Sequence, residues 1–399
     1  MSVRSCTLYT FCDSNPERVR FPLKLLKPKM GKISLMSCLI LVFLVVLVNG
    51  QQKKDEIRVF ELKKGNFASI KFTNWGASIM SLVIPDNQGK LADVVLGYDS
   101  AQSYKTDTTN FGRTLGRVAN RIGGAKFTLN GTTYKLVAND GNNTLHGGAI
   151  GFNNVLWKVK SYKPNIKTPS ITFSYDSFDG EQGFPGKVSV SVTYRIMSGN
   201  DTTLFVTMRA KAINKATPVN LAHHTYWNLG GHNSGDILSH KVQIFAKHIT
   251  PVGPDLIPTG KITPVKGTPF DFYDMRTVGS RIKQLPGGYD INYVIDEPTS
   301  KTSERLIALV SESKSGRSME LWTDQPGVQF YTSNTLSNVR GKGGYVYEKY
   351  GALSLETQGF PDAVNHPNFP SVIVNPGETC IHRMRFTFST VPSKKYADI

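Results

Sequence analysis

The chain has 399 residues, of which 39% are hydrophobic, 10% aromatic and 19% charged, enough for a large core and unlike a disordered or low-complexity protein. Its 47 Lys and Arg against 30 Asp and Glu give +17, but seven basic and two acidic residues fall in the first 50, which leaves 40 against 28, or +12. That remainder is scattered as single lysines, with no arginine-rich helix or reader motif, and so argues against nucleic acid as a partner.

Residues 33–48 read ISLMSCLILVFLVVLV, a 16-residue apolar run preceded by Lys27, Lys29 and Lys32 and followed by Asn49-Gly50-Gln51. The run is short for a bilayer span of about 20 residues and suits the apolar region of a signal peptide. Residues 1–50 therefore read as an N-terminal extension and signal peptide, with Met30 as an alternative translation start and a mature chain beginning near Gln51. This predicts a secreted protein without a stable membrane span; an uncleaved signal anchor is the alternative. Of Cys6, Cys12, Cys38 and Cys380 only the last survives such a cleavage, so stability has to come from the core, without an internal disulfide. Asn130, Asn142 and Asn200 stand in glycosylation sequons.

From Gln51 onward the chain consists of short alternating or β-branched runs divided by turn residues. Strands are predicted at 69–72, 79–84, 126–129, 171–175, 187–196, 203–212, 241–244, 306–311, 318–323, 329–333, 352–357 and 380–389, and a single short helix at 100–106. Asn130-Gly131 between residues 126–129 and 132–136 is a hairpin signal, because a type I′ turn needs positive φ at both central positions. The Pro-rich segment 250–269 carries spaced Leu, Ile, Val and Phe and reads as a loop laid over the domain. With no repeat and no linker, residues 51–399 are expected to form one all-β domain, a large antiparallel β-sandwich.

The nucleophile elbow, the P-loop, the dinucleotide fingerprint and the zinc-protease helix are all missing, and no His or Asp pair has metal-ligand spacing. Five polar clusters remain. Gly112 to Gly124 interleaves Arg113, Arg117 and Arg121 with small residues, so these guanidinium groups either approach a ligand closely or pair with carboxylates inside the fold. His146 is followed by Gly147-Gly148. His223 and His224 are adjacent, and in a strand they point to opposite faces, one toward a site and one into packing. Asp290 stands at a turn entering a strand, where an Asx cap is the plainer role. Period 2 puts Leu353, Leu355 and Thr357 on one face of the last cluster and Ser354, Glu356 and Gln358 on the other, either a solvated face or a site. With Trp75, Trp157, Tyr226 and Trp227 as aromatic platforms, these groups have the composition of a sugar cleft.

The clusters carry a resemblance. Gly116-Arg-Val-Ala-Asn-Arg-Ile122, Leu145-His-Gly-Gly148, the His224 strand ending in Asn228-Leu, Gly288-Tyr-Asp290, and Leu355-Glu-Thr-Gln358 followed by Phe360-Pro-Asp-Ala-Val-Asn365 resemble, in order over residues 56–390, the aldose 1-epimerase (galactose mutarotase) family. The resemblance implies a β-supersandwich that interconverts the α and β anomers of a free hexose, galactose or glucose, without a cofactor. It implies Glu356 as general base, His224 as general acid, and Arg121, His146, Asp290 and the adjoining Asn120 as substrate ligands. His223 and Ile291 depart from the family's commonest residues, Asn and His, and bear on sugar preference. Alternative readings are an epimerase for another or a phosphorylated sugar, a secreted carbohydrate-binding protein on the same fold without turnover, and a basic protein adhering to acidic polysaccharide. N-terminal sequencing of the exported protein is expected to begin near Gln51; recovery of residues 35–48 on the purified chain would overturn the cleavage.

Overall fold

The fold is given by a computed structural model that describes residues 56–65, 68–199, 201–295 and 304–390. The apolar run, Cys6, Cys12, Cys38 and the sequon residue Asn200 lie outside the described residues. Alternation in the sequence becomes sidedness in a nine-stranded antiparallel sheet, whose long strands are Val188–Ser198, Thr202–Ala212 and Thr379–Ser389. In Thr202–Ala212 the side chains of Leu204, Val206, Met208 and Ala210 are buried, while Arg209 and Lys211 point to solvent. Burying Leu204, Val206 or Met208 contributes about 1.5–3 kcal/mol each relative to exposure.

The inner face of this sheet shares one core with two others. One is the four-stranded sheet of Val59–Lys64, Ala68–Thr73, Ser78–Pro85 and Leu91–Asp93. The second is a five-stranded sheet ordered Thr263–Pro264, His248–Thr250, Asp290–Val294, Gly327–Tyr331 and Ser354–Gln358. Period 2 divides the residues of this sheet. Ile291, Tyr293, Val328, Phe330, Leu353 and Leu355 enter the common core, and the intervening residues face away from it. On that opposite side Asp290 stands across from Tyr331 and Tyr331 across from Ser354, while Asn292, Gln329 and Glu356 form the neighbouring row.

Each of the twelve strands predicted from the sequence corresponds to an observed strand, with ends moved by up to two residues. Asn130 and Gly131 take φ of 50° and 77° in the hairpin between Lys126–Leu129 and Thr132–Lys135. The predicted helix shortens to one turn, Ser103–Thr106. Val59–Lys64 and Lys158–Lys163 were not predicted as strands because lysines break their apolar pattern. Both lie at sheet edges, where charge discourages pairing with another chain.

Two of the three interleaved arginines are internal struts. Arg113 is fully buried, 3.1 Å from the Asp107 carboxylate, and also donates to the Tyr104 carbonyl and to Asn154. Asp107 in turn accepts from Tyr98 Oη at 2.8 Å and from the backbone N–H groups of Thr109 and Asn110. Arg117 donates to the carbonyls of Pro185, Gly186 and Phe178 and to Ser177 Oγ. Asp107→Asn keeps the shape but strips the buried guanidinium of its counter-charge. It is expected to cost about 3–5 kcal/mol in urea unfolding; a loss below 1 kcal/mol would contradict this role.

Candidate active site

The backbone N–H and C=O of Trp227 bond to those of Leu353 at 2.8 and 2.9 Å, joining two antiparallel segments. Counting three residues from that junction along each segment brings His224 opposite Glu356. At the far end Asn220 substitutes for a ladder, with its Oδ1 accepting from Gly359 N at 2.8 Å and its Nδ2 donating to Gly359 O at 3.0 Å. Between the two closures the buried His382 ring bonds Thr357 Oγ1 at 2.7 Å and the Leu221 carbonyl at 3.2 Å. His224 Nε2 and Glu356 Oε1 are held 3.5 Å apart, both almost wholly buried.

Arg121 enters through the short pairing of Arg121–Ile122 with Thr144–Leu145. Asn120 and His146 both take positive φ, 59° and 52°, and bind each other. His146 N donates to Asn120 O at 2.9 Å, and Asn120 N donates to His146 Nδ1 at 3.1 Å. Because Nδ1 accepts, the neutral His146 ring carries its proton on Nε2 as a donor. Arg121 Nε meets Asp140 at 2.7 Å, and Asp290 Oδ1 accepts from Gln329 Nε2 at 2.6 Å. All six residues expected from the sequence, Glu356, His224, Arg121, His146, Asp290 and Asn120, line one cavity of about 230 Å³.

Burial sets the electrostatics of this cleft. It pushes Glu356 well above the ordinary glutamate range, with the Asp290 carboxylate adding to the shift and Arg121 opposing it. Asp290 is raised, also chiefly by burial. Burial lowers His224 to about 4, and lowers His146 well below the usual value, helped by the nearby His224 and Arg121 charges. His224 Nδ1 and Glu356 Oε2 are buried without a hydrogen-bond partner. Unsatisfied polar atoms in a cleft mark places for a ligand's polar groups.

Several plainer roles are overturned. Ser354, Glu356 and Gln358 form no solvated face, because the cleft and neighbouring strands bury them. The Asp290 carboxylate binds Gln329 across the sheet rather than capping its own turn. The aromatic platforms also need correction. Trp157 is a core residue whose Nε1 donates to the Phe152 carbonyl, Trp227 packs on Phe386 and Phe388, and Trp75 packs against a separate apolar cluster. Only Tyr226 of the four lines the cavity, joined by Tyr331. His223 turns away, bonding Tyr194 Oη at 2.8 Å and Thr225 Oγ1 at 2.7 Å, and Ile291 lies in the core, so neither departure from the family pattern touches the cleft.

Gln329, Tyr331, Leu256, Thr109 and Asn110 also line the cavity and were missed from the sequence. Gln329 had a legible signal, a lone amide between Val328 and Phe330 in an apolar strand. Leu256 and Thr109 lie in loops, where periodicity carries no information.

The family model for aldose 1-epimerase matches residues 58–387. Galactose mutarotase from Sus scrofa is 43% identical over 322 residues, 80% of this chain and 91% of that protein. Aldose 1-epimerase from Escherichia coli K12 is 31% identical over 328 residues, 80% and 92% of the two chains. A GalM/aldose epimerase homologue from C. elegans superposes with a TM-score of 0.78 at 29% identity, over 84% of this chain and all of that one.

A buried acid and a buried base leave opposite marks on stability. Glu356 titrates higher folded than unfolded, so its stabilising proton is retained below the ordinary glutamate range and stability falls as pH rises through the raised value. His224 titrates lower when folded, so stability falls as pH drops from about 6.5 through about 4. Urea midpoints of Glu356→Gln are expected to lose the decline with rising pH, and those of His224→Gln to reduce the acid one. Unchanged pH profiles in both variants would contradict the desolvated pair.

Proposed function

The chain belongs to the aldose 1-epimerase family and is an aldose 1-epimerase, an isomerase, and we propose that Glu356 and His224 carry its proton transfers on free galactose and glucose. The observation behind this assignment is the buried pair 3.5 Å apart in the cavity it shares with Arg121, His146 and Asp290.

In the opening half-reaction the Glu356 carboxylate takes the proton of the C1 hydroxyl while the His224 imidazolium gives a proton to the ring oxygen. The C1–O5 bond breaks, and C1 becomes the aldehyde carbon. After rotation about C1–C2 the O5 hydroxyl attacks the other face of C1, returning its proton to His224, and Glu356 returns the first proton to the former carbonyl oxygen. Protons balance over the cycle and no cofactor is consumed. Each proton transfer supplies about 10²- to 10⁴-fold.

Burial favours the uncharged forms of both groups, a proton on the Glu356 carboxyl and a neutral His224 ring. Sugar hydroxyls donating to Glu356, together with Arg121, favour the carboxylate and move that proton to His224. His146 Nε2–H and the Arg121 guanidinium serve as donors to sugar oxygens, the Asp290 carboxylate as an acceptor, and Asn120 aligns both donors through its bonds to His146 and Arg121. Orientation by these four adds to the proton-transfer contribution. Mixed charge in the cleft, with Glu356 and Asp290 beside Arg121, suits a neutral hexose better than a phosphorylated one.

We propose also that this activity is exported. The reading rests on residues 33–48 and their basic flank, and the sequon residues Asn130 and Asn142 are both exposed. No helix among the described residues is long and apolar enough to cross a membrane.

Polarimetry of freshly dissolved α-galactose and α-glucose tests the chemistry. The wild type is expected to accelerate the approach to equilibrium, and Glu356→Gln to lose at least about 100-fold in kcat while remaining folded. A Glu356→Gln rate near wild type would refute the base assignment.

A further inference from the structure

One wall of the cleft comes from a segment that carries none of the six site residues expected from the sequence. After Thr250, which pairs with Asn292, the chain leaves the five-stranded sheet alongside Asp290 and forms a tight loop through residue 260. Its ends are cross-linked by Thr259 N donating to Pro251 O and by the bridge of Val252 to Pro258. At its tip Gly253 N donates to Ile257 O and Leu256 N to Gly253 O. Leu256 is thereby held at φ 59°, a left-handed conformation that a γ-branched residue rarely adopts. It lines the cavity with His224, Glu356, Arg121 and Asp290.

The loop is clasped on its far side. His366 Nε2 lies 3.1 Å from the Pro258 carbonyl and 3.3 Å from Asp362, and Asn368 Nδ2 donates to Gly260 O at 2.9 Å. Asp362 also accepts from Gly123 N and donates its own N–H to the Arg121 carbonyl. Ile257 approaches Gly123 so closely that a Cβ there would sit 3.2 Å from Ile257 Cγ2. The loop thus runs from the Asp290 side of the cleft to the Arg121 side, with Leu256 between two groups that bind sugar hydroxyls in the reading above.

We propose that Leu256 is a substrate-contacting, affinity-determining residue whose isobutyl side chain packs on the apolar C–H face of the sugar. The inference rests on the sugar-cleft reading. A pyranose held by polar groups on its rim still presents C–H faces. The cleft answers these with the Tyr226 and Tyr331 rings and with the aliphatic side chains of Leu256 and Leu145. An apolar residue carried in a left-handed conformation by a clasped loop is a directed contact, because the same turn would form more readily with glycine.

The test is the KM and kcat for α-galactose of wild type, Leu256→Ala, Leu256→Gly and Leu256→Met, with urea unfolding of each. If the side chain touches sugar, Ala and Gly raise KM about 5- to 20-fold, the scale of a few lost methylene contacts, with kcat within threefold of wild type. Met, which restores apolar bulk, stays within threefold in KM. If Leu256 only shapes the loop, Leu256→Gly matches wild type, since glycine accepts the left-handed backbone, and the inference is overturned. It is equally overturned if kcat falls at unchanged KM. A wild type without mutarotation would instead sink the sugar-cleft reading itself, so the two failures are distinguishable.

Discussion

Two polar groups that water would keep apart, His224 and Glu356, face each other 3.5 Å apart in a buried cleft, and much of the surrounding architecture serves that separation. A buried imidazole and carboxylate are costly to desolvate, so their spacing cannot be left to their own attraction. It is imposed by backbone register: the Trp227–Leu353 junction on one side, the Asn220 amide bonded to Gly359 on the other, and His382 bracing Thr357 and Leu221 between them. Both segments are backed by the common core, so the side chains can face the cleft without the strands drifting.

The remaining cleft residues are positioned by a different route. Arg121, Asn120 and His146 sit on short, irregular backbone with positive φ at two of three positions, and that geometry is stabilised by their bonds to one another. Such strained turns persist only where surrounding structure over-determines them. Here Asp362 supplies that support: its carboxylate accepts from Gly123 N and meets His366 beneath the 251–260 loop, and its backbone N–H donates to the Arg121 carbonyl. Arg113 performs a comparable task for the cleft residues Thr109 and Asn110, because its partner Asp107 caps their backbone N–H groups. Charges buried away from the chemistry therefore hold the walls of the site.

Legibility followed periodicity. Where residues alternate, as in Thr202–Ala212 or Ser354–Gln358, the strand and its two faces could be read directly, including the face that carries Glu356. Motif order supplied the other five site residues through family resemblance. The aromatic platforms could not be located this way, since Trp157 and Trp227 have the composition of a sugar site but the volume of a core, and packing claimed them. The three arginines spaced four apart look equivalent in sequence, yet two became struts and one lines the cleft, because only the fold decides which carboxylates and carbonyls come within reach.

By itself the sequence determined the all-β class, the hairpin at Asn130-Gly131, the family and the polar residues of the cleft, since these depend on period, turn chemistry and ordered motifs. Tertiary structure alone decided that His224 stands opposite Glu356, that His223 and Ile291 are removed from the cleft, and that Gln329, Tyr331 and Leu256 complete it. The reason is physical: side-chain direction is local along a strand, whereas proximity between residues more than a hundred positions apart follows from register, and register is set by how the sheets bury their common core.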